Sequence, residues 1–131
     1  MQQALTAFLL AQPGISTLVG TNIDWGKRKQ GAPLPALVLH LVTGPPVYTD
    51  DGETDLQSTR VQINALASSR ESRLALHRAV RAALSGKTFT QSGVQVVRAY
   101  AQGPDDSDET PAGGQTIFTT QEDYIFWHRE I

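Results

Sequence analysis

The chain has 131 residues, 13 acidic against 11 basic side chains, a formal net charge of -2 and no cysteine. Its mass is enough to bury one real core without metal or disulfide staples, so residues 1–131 are expected to form a single domain. The charge balance argues against a whole-protein positive field for gripping nucleic acid, and the absence of cysteine removes thiolate metal sites, disulfides and cysteine nucleophiles. Nowhere do 18 apolar residues run together, and Met1–Ala11 lacks the basic start and long apolar run of a secretory signal, so no membrane role and synthesis in the cytoplasm are expected.

Leu5, Phe8 and Leu9, then Ile15, Leu18 and Val19, recur at helical spacing around the Pro13-Gly14 break. The reading is a short helix followed by another helical turn. Thr21 to Trp25 is a candidate short strand, and Gly26 to Pro35 a loop carrying Lys27, Arg28 and Lys29. Pro35 to Thr43 (PALVLHLVT) is apolar on both faces of a pleat, so something must cover each face, by a loop or by a neighbouring subunit. Leu56 to Ala65 returns as a strand with Val61, Ile63 and Ala65 on one side and Arg60, Gln62 and Asn64 on the other. The two strands make a long hairpin whose connection, about 44–55, is longer than the 2–5 residues of most hairpin loops and is expected to be flexible.

Ser68 and Glu71 fit a capping box and Gly86 a helix stop, which predicts a helix over Ser69 to Ser85 with Ser72, Leu76, Ala79, Val80 and Ala83 buried. Its other side carries Arg70, Arg73, His77, Arg78 and Arg81, with Leu74 among them. Val94 to Ala101 alternates as a strand, 103–114 reads as a flexible loop containing Asp105, Asp106, Asp108 and Glu109, and Thr116 to Arg129 forms the last strand. The expected fold is α+β: an antiparallel sheet of four to five strands with a long β-hairpin and two main helices on one face.

Tests for chemistry return little. Ser85-Gly86-Lys87-Thr88 has Arg81 where a phosphate loop needs glycine, and it follows a helix rather than opening one. His40, His77 and His128 have no second ligand at metal spacing, and neither acidic stretch has the ligand order of a calcium loop. Neither an enzyme nor a bound cofactor or metal is expected. The runner-up of another class is a small hydrolase using His40 or His128 with an acidic partner.

Several segments together resemble the tail completion proteins of long-tailed bacteriophages, also called tail terminator or head-to-tail joining proteins. They are P-G-I-x-x-L-V-G (Pro13–Gly20), G-A-P-L-P-A-L-V (Gly31–Val38), R-V-Q-I-N (Arg60–Asn64), R-A-V-R-A-A-L (Arg78–Leu84) and D-Y-x-F-W-x-R-E (Asp123–Glu130). The resemblance implies a structural virion protein at the head–tail junction, made in the bacterial host cytoplasm. It would assemble as a homo-oligomeric ring, typically a hexamer, that caps the tail tube and meets a head connector or stopper, with DNA passing through without sequence-specific binding. The same subunit would serve a gene transfer particle or another tail-like machine. Under this reading Asp50, Asp51, Glu53 and Asp55, with Tyr48, are candidates to face the channel or an adjacent ring. Lys27, Arg28, Lys29 and the Arg70, Arg73, Leu74, Arg78, Arg81 face are candidates to meet acidic neighbours. The acidic run 105–109 lies outside the family pattern, and its role is left open.

Overall fold

A computed structural model of the chain describes residues 1–28, 33–43, 46–49, 52–110 and 114–130. Helix α1 (Gln2–Leu10) leads into α2 (Pro13–Val19), where Pro13 occupies the first helical position, the one site at which its missing N–H costs nothing. Strand β1 (Ile23–Trp25) precedes β2 (Ala36–Thr43), β3 (Pro46–Thr49) and β4 (Gly52–Ala67), then helix α3 (Arg70–Leu84) and the strands β5 (Phe89–Gln91), β6 (Val94–Glu109) and β7 (Ile117–Glu130).

The seven strands form one sheet in the order β1-β2-β4-β7-β6-β5, with β3 paired to β4. The α+β class stands as expected. Two details differ: there are more strands than four to five, and β1 lies parallel to β2, which makes the sheet mixed. Short edge strands such as β1 and β5, three residues each, leave almost no alternation to read in a sequence.

All three helices pack on one face. The side chains that meet there alternate along each strand: Leu37 and Leu39 from β2, Val61, Ile63 and Ala65 from β4, Tyr124 and Phe126 from β7, Val94, Val96 and Ala99 from β6. Against them lie Leu5, Leu9, Ile15 and Val19 from the first two helices and Leu76, Val80 and Leu84 from α3. Phe8 stacks on Phe89, with ring centroids 3.7 Å apart, and ties α1 to the β5 edge. The buried row of α3 is therefore Leu76, Val80 and Leu84, spaced by four. Ala79 and Ala83 only pack partly against the core, and Ser72 sits at the capped end.

That cap is Ser69, one residue later than the capping box suggested; its hydroxyl accepts the Ser72 N–H at 3.1 Å. At the other end Gly86, at φ +70, turns the chain, and its N–H reaches the Ala99 carbonyl at 2.8 Å.

The two expected loops are corrected where they are described. Residues 103–109 belong to β6, not to a loop, and continue its pairing with β7 out to Glu109 opposite Ile117. Alternation is broken there by a register shift between Ala101 and Pro104 around Gly103, which hides the strand from a period-two reading. In the first hairpin, 46–49 and 52–55 are strands too, and β4 is paired with β7 only from Gln57 onward, opposite His128. The ladder of Gly52–Leu56 is with β3, so the β3–β4 hairpin forms an arm that runs on past the end of β7.

Candidate assembly interface

The helix-bearing face holds a charged cluster where α3 crosses β6 and β7. Glu122 is 1% exposed. Burying a carboxylate that deeply is costly unless it is bonded and compensated. One oxygen accepts the Tyr124 hydroxyl at 3.0 Å, and the other accepts the Gly103 N–H at 2.9 Å. His77 Nε2 and Arg81 Nη1 stand 3.6 and 3.7 Å from the same carboxylate. Gly103 has φ +110, a conformation that only glycine adopts readily, and this is what points its N–H at Glu122. Burial and then the neighbouring carboxylate push the Tyr124 hydroxyl above its ordinary value of 10, so it stays a donor.

One turn further toward the start of α3, Arg73 bonds Asp108 at 3.1 Å and stands 3.6 Å from Asp106, while Arg70 is 3.8 Å from Asp108. Both guanidinium groups also lie over the Phe118 ring, at 5.9 and 5.6 Å. Asp106 and Asp108, from the acidic run that the sequence left without a role, thus face the arginine face of α3 in their own chain. Of the basic residues proposed to meet a neighbour, Arg70, Arg73 and Arg81 are engaged inside the subunit. Arg78 and Leu74 are exposed, Leu74 at 45%.

The other proposed residues divide. Lys27 is exposed, and Arg28 is half-buried and lines a shallow hollow with Val38, His40, Gln62, Asn64, Leu66 and Thr119. Tyr48 lies in β3 and Glu53 and Asp55 in β4, on the arm. Lys29, Asp50 and Asp51 lie outside the described residues.

The opposite face of the sheet carries no helix among the described residues. Ala36 and Val38 are nonetheless buried there, beside the hollow that Arg28 lines, so the doubly apolar β2 is covered at its start. At its end Leu41 and Val42 are 52% and 51% exposed. Pairing puts Tyr100, Ile125 and Trp127 on this face together with Arg60, Arg98 and Arg129. Arg60 donates to Asp123 at 2.8 Å, and the Nε of Arg129 is buried without a partner. No sequence signal isolates this group, because its members come from three strands and become neighbours only through register.

The histidines considered for catalysis do not meet. His40 is on the helix-free face in β2, and His128 points into the helix-bearing face of β7, where its Nε2 is 2.6 Å from the Thr59 hydroxyl. Among the described residues there is no group of three or more His, Asp or Glu placed to hold a metal ion.

Comparison with known proteins agrees with this architecture. The sequence model of the tail completion protein gp17 family matches residues 3–118. Among solved structures, a chain described as "Virion of native gene transfer agent (GTA) particle" superposes with a TM-score of 0.61 at 17% identity, over 98% of this chain and 94% of that one. At that identity the likeness is one of fold. No curated protein sequence matches.

Proposed function

Because this chain belongs to the tail completion protein gp17 family, we propose that it acts as a ring, six subunits around, that caps the tail tube, joins it to the head connector and leaves a bore for DNA. A structural role in completing a virion tail is what the family does; the ring, its position at the head–tail junction and the bore are the finer reading. The observation that carries it is the asymmetry of the subunit: helices close one face of the sheet, among the described residues no helix covers the other, and the β3–β4 ladder runs on past the end of β7. An arm at one end and a receptive face elsewhere are different surfaces, and heterologous contacts of that kind close into rings when the rotation allows. The acidic arm suits a bore through which DNA slides, since like charge keeps the duplex from adhering.

A gene transfer particle is the second reading, favoured by the fold shared with a chain of such a virion. Both readings are tested by electron microscopy of particles made without this protein. Overlong tails or heads separated from tails are expected; normally joined particles would overturn the proposal. Sequencing the DNA carried by purified particles separates a phage, which packages the genome that encodes it, from a transfer particle.

A further inference from the structure

Among the described residues, Arg98, Arg129, Asp105 and Glu109 enter none of the ion pairs, and strand register puts them all on the helix-free face. Arg98 lies opposite Trp127 and Tyr100 opposite Ile125, while Arg129 follows on β7 with its Nε buried and without a partner. Arg98 is exposed, Tyr100 is 50% exposed, and Ile125 and Trp127 are half-buried, so this end of the face is cationic, aromatic and open. The acid beside it, Asp123, is bonded to Arg60.

Asp105 and Glu109 stand at the far end of the same face, on the outer part of the β6–β7 hairpin, opposite Gln121 and Ile117. Residues 102–110 are all exposed and none belongs to the core. Arg70 and Arg73 engage Asp106 and Asp108 on the helix-bearing side, which leaves Asp105 and Glu109 turned away from α3. From Arg98 to Asp105 the strand runs roughly 20 Å at about 3.3 Å per residue, more than twice the roughly 8 Å over which physiological salt screens a charge. The two ends therefore do not neutralise each other within one subunit. Helix α3 is the weaker receptor for an acidic neighbour: Arg70, Arg73 and Arg81 already face acids, and beside its exposed Arg78 only Leu74 offers apolar surface.

We propose that the outer β6–β7 hairpin of one copy, presenting Asp105 and Glu109, docks on the Arg98–Trp127–Arg129 end of the helix-free face of the next copy. This rests on the ring reading and names its contact. Donor and receptor are different surfaces at opposite ends of the subunit, as a heterologous ring contact requires. Opposite charge aligns the hairpin, and covering Tyr100, Ile125 and Trp127 supplies the non-directional part of the attraction. The ion pairs of α3 with Asp106 and Asp108 then have a use, since they brace the hairpin from behind while its other side meets the neighbour.

The chain has no cysteine, so introduced thiols are unique probes. Ser107→Cys between the two acids and Thr90→Cys, exposed on β5 opposite Gln95, leave every charge in place. Within one chain the two positions are roughly 40 Å apart along β6, beyond the reach of a short bismaleimide, so any link joins two copies. In purified particles the double variant should give a ladder of linked subunits, whereas either single variant should give none. In parallel, Arg98→Glu, checked for unchanged circular dichroism, should cut the yield of joined particles at least tenfold, and Asp105→Arg in the same chain should raise it again at least threefold. Absence of the ladder from joined particles, or a normal yield from Arg98→Glu, would overturn the docking while leaving the ring standing. Links that stop at pairs would overturn it in favour of two faces packed on each other, and self-linking of Ser107→Cys alone in favour of hairpin–hairpin contact. Retention of duplex DNA by the isolated protein at low salt, abolished by Arg98→Glu, would overturn it in favour of a phosphate-binding face. Normal particles in the complete absence of the protein would sink the ring reading itself.

Discussion

Glu122 shows how much one residue can organise. It joins a strand, a bulge and a helix: Tyr124 and Gly103 belong to its own β6–β7 pair, and His77 and Arg81 reach it from α3. Replacing it by Leu leaves the buried Tyr124 hydroxyl without its acceptor, which costs about 1–3 kcal/mol, and also removes the partner of the Gly103 N–H. Glu122→Leu is therefore expected to lose at least about 2 kcal/mol in urea unfolding, and Glu122→Gln less, because its amide oxygen still accepts one bond. The pH response is also set at this scale. His77 and His128 protonate less readily than the ordinary 6.5, both chiefly because burial penalises the charged ring, with the Glu122 carboxylate opposing this at His77. As pH falls below 6.5 the unfolded chain therefore takes up protons first. Stability from these groups is fully present above 6.5 and declines below it, so the melting temperature should fall between pH 7.5 and 5.5, and the double variant His77→Gln/His128→Gln should flatten that fall.

At the scale of elements, the outer part of the β6–β7 hairpin is held differently from the rest of the sheet. Residues 102–110 are all exposed, none belongs to the apolar core, and their ties to α3 run through Arg73, Arg70 and the Phe118 ring beneath them. Exposed ion pairs contribute roughly 0–1 kcal/mol each and weaken with salt. Hydrogen exchange over 103–109 should accelerate in 1 M salt and in Arg73→Ala, while exchange in 61–65 stays slow; equal protection of both segments would contradict this. The sequence announced α3 clearly, since caps, a glycine stop and a row of Leu and Val at spacing four are local signals. It hid the outer half of β6, because Gly103-Pro104 and four acids read as a loop, and only pairing with β7 keeps them extended.

For the whole molecule, the segregation of charge changes meaning once the fold is known. Asp106 and Asp108 sit against Arg70 and Arg73, so much of the apparent complementarity between basic and acidic segments is satisfied within one subunit. What stays outward among the described residues includes Arg98 and Tyr100 on the helix-free face. Reversing Asp50, Asp51, Glu53 and Asp55 to lysine should leave the isolated subunit folded, as checked by its circular dichroism and a cooperative thermal transition. It should nevertheless sharply lower the number of joined, infectious particles; unchanged particle yield would count against any role for the arm in assembly.

Local features of the sequence by themselves determined the α+β class, the long hairpin, helix α3 and the resemblance to tail completion proteins, because periodicity, caps and turn residues act over a few neighbouring positions. The parallel β1–β2 pair, the burial of Glu122 and the gathering of Arg60, Arg98 and Arg129 around Trp127 were decided only by the tertiary structure. Each depends on register between strands far apart in the chain, and a shift of one residue would send those same side chains to the other face.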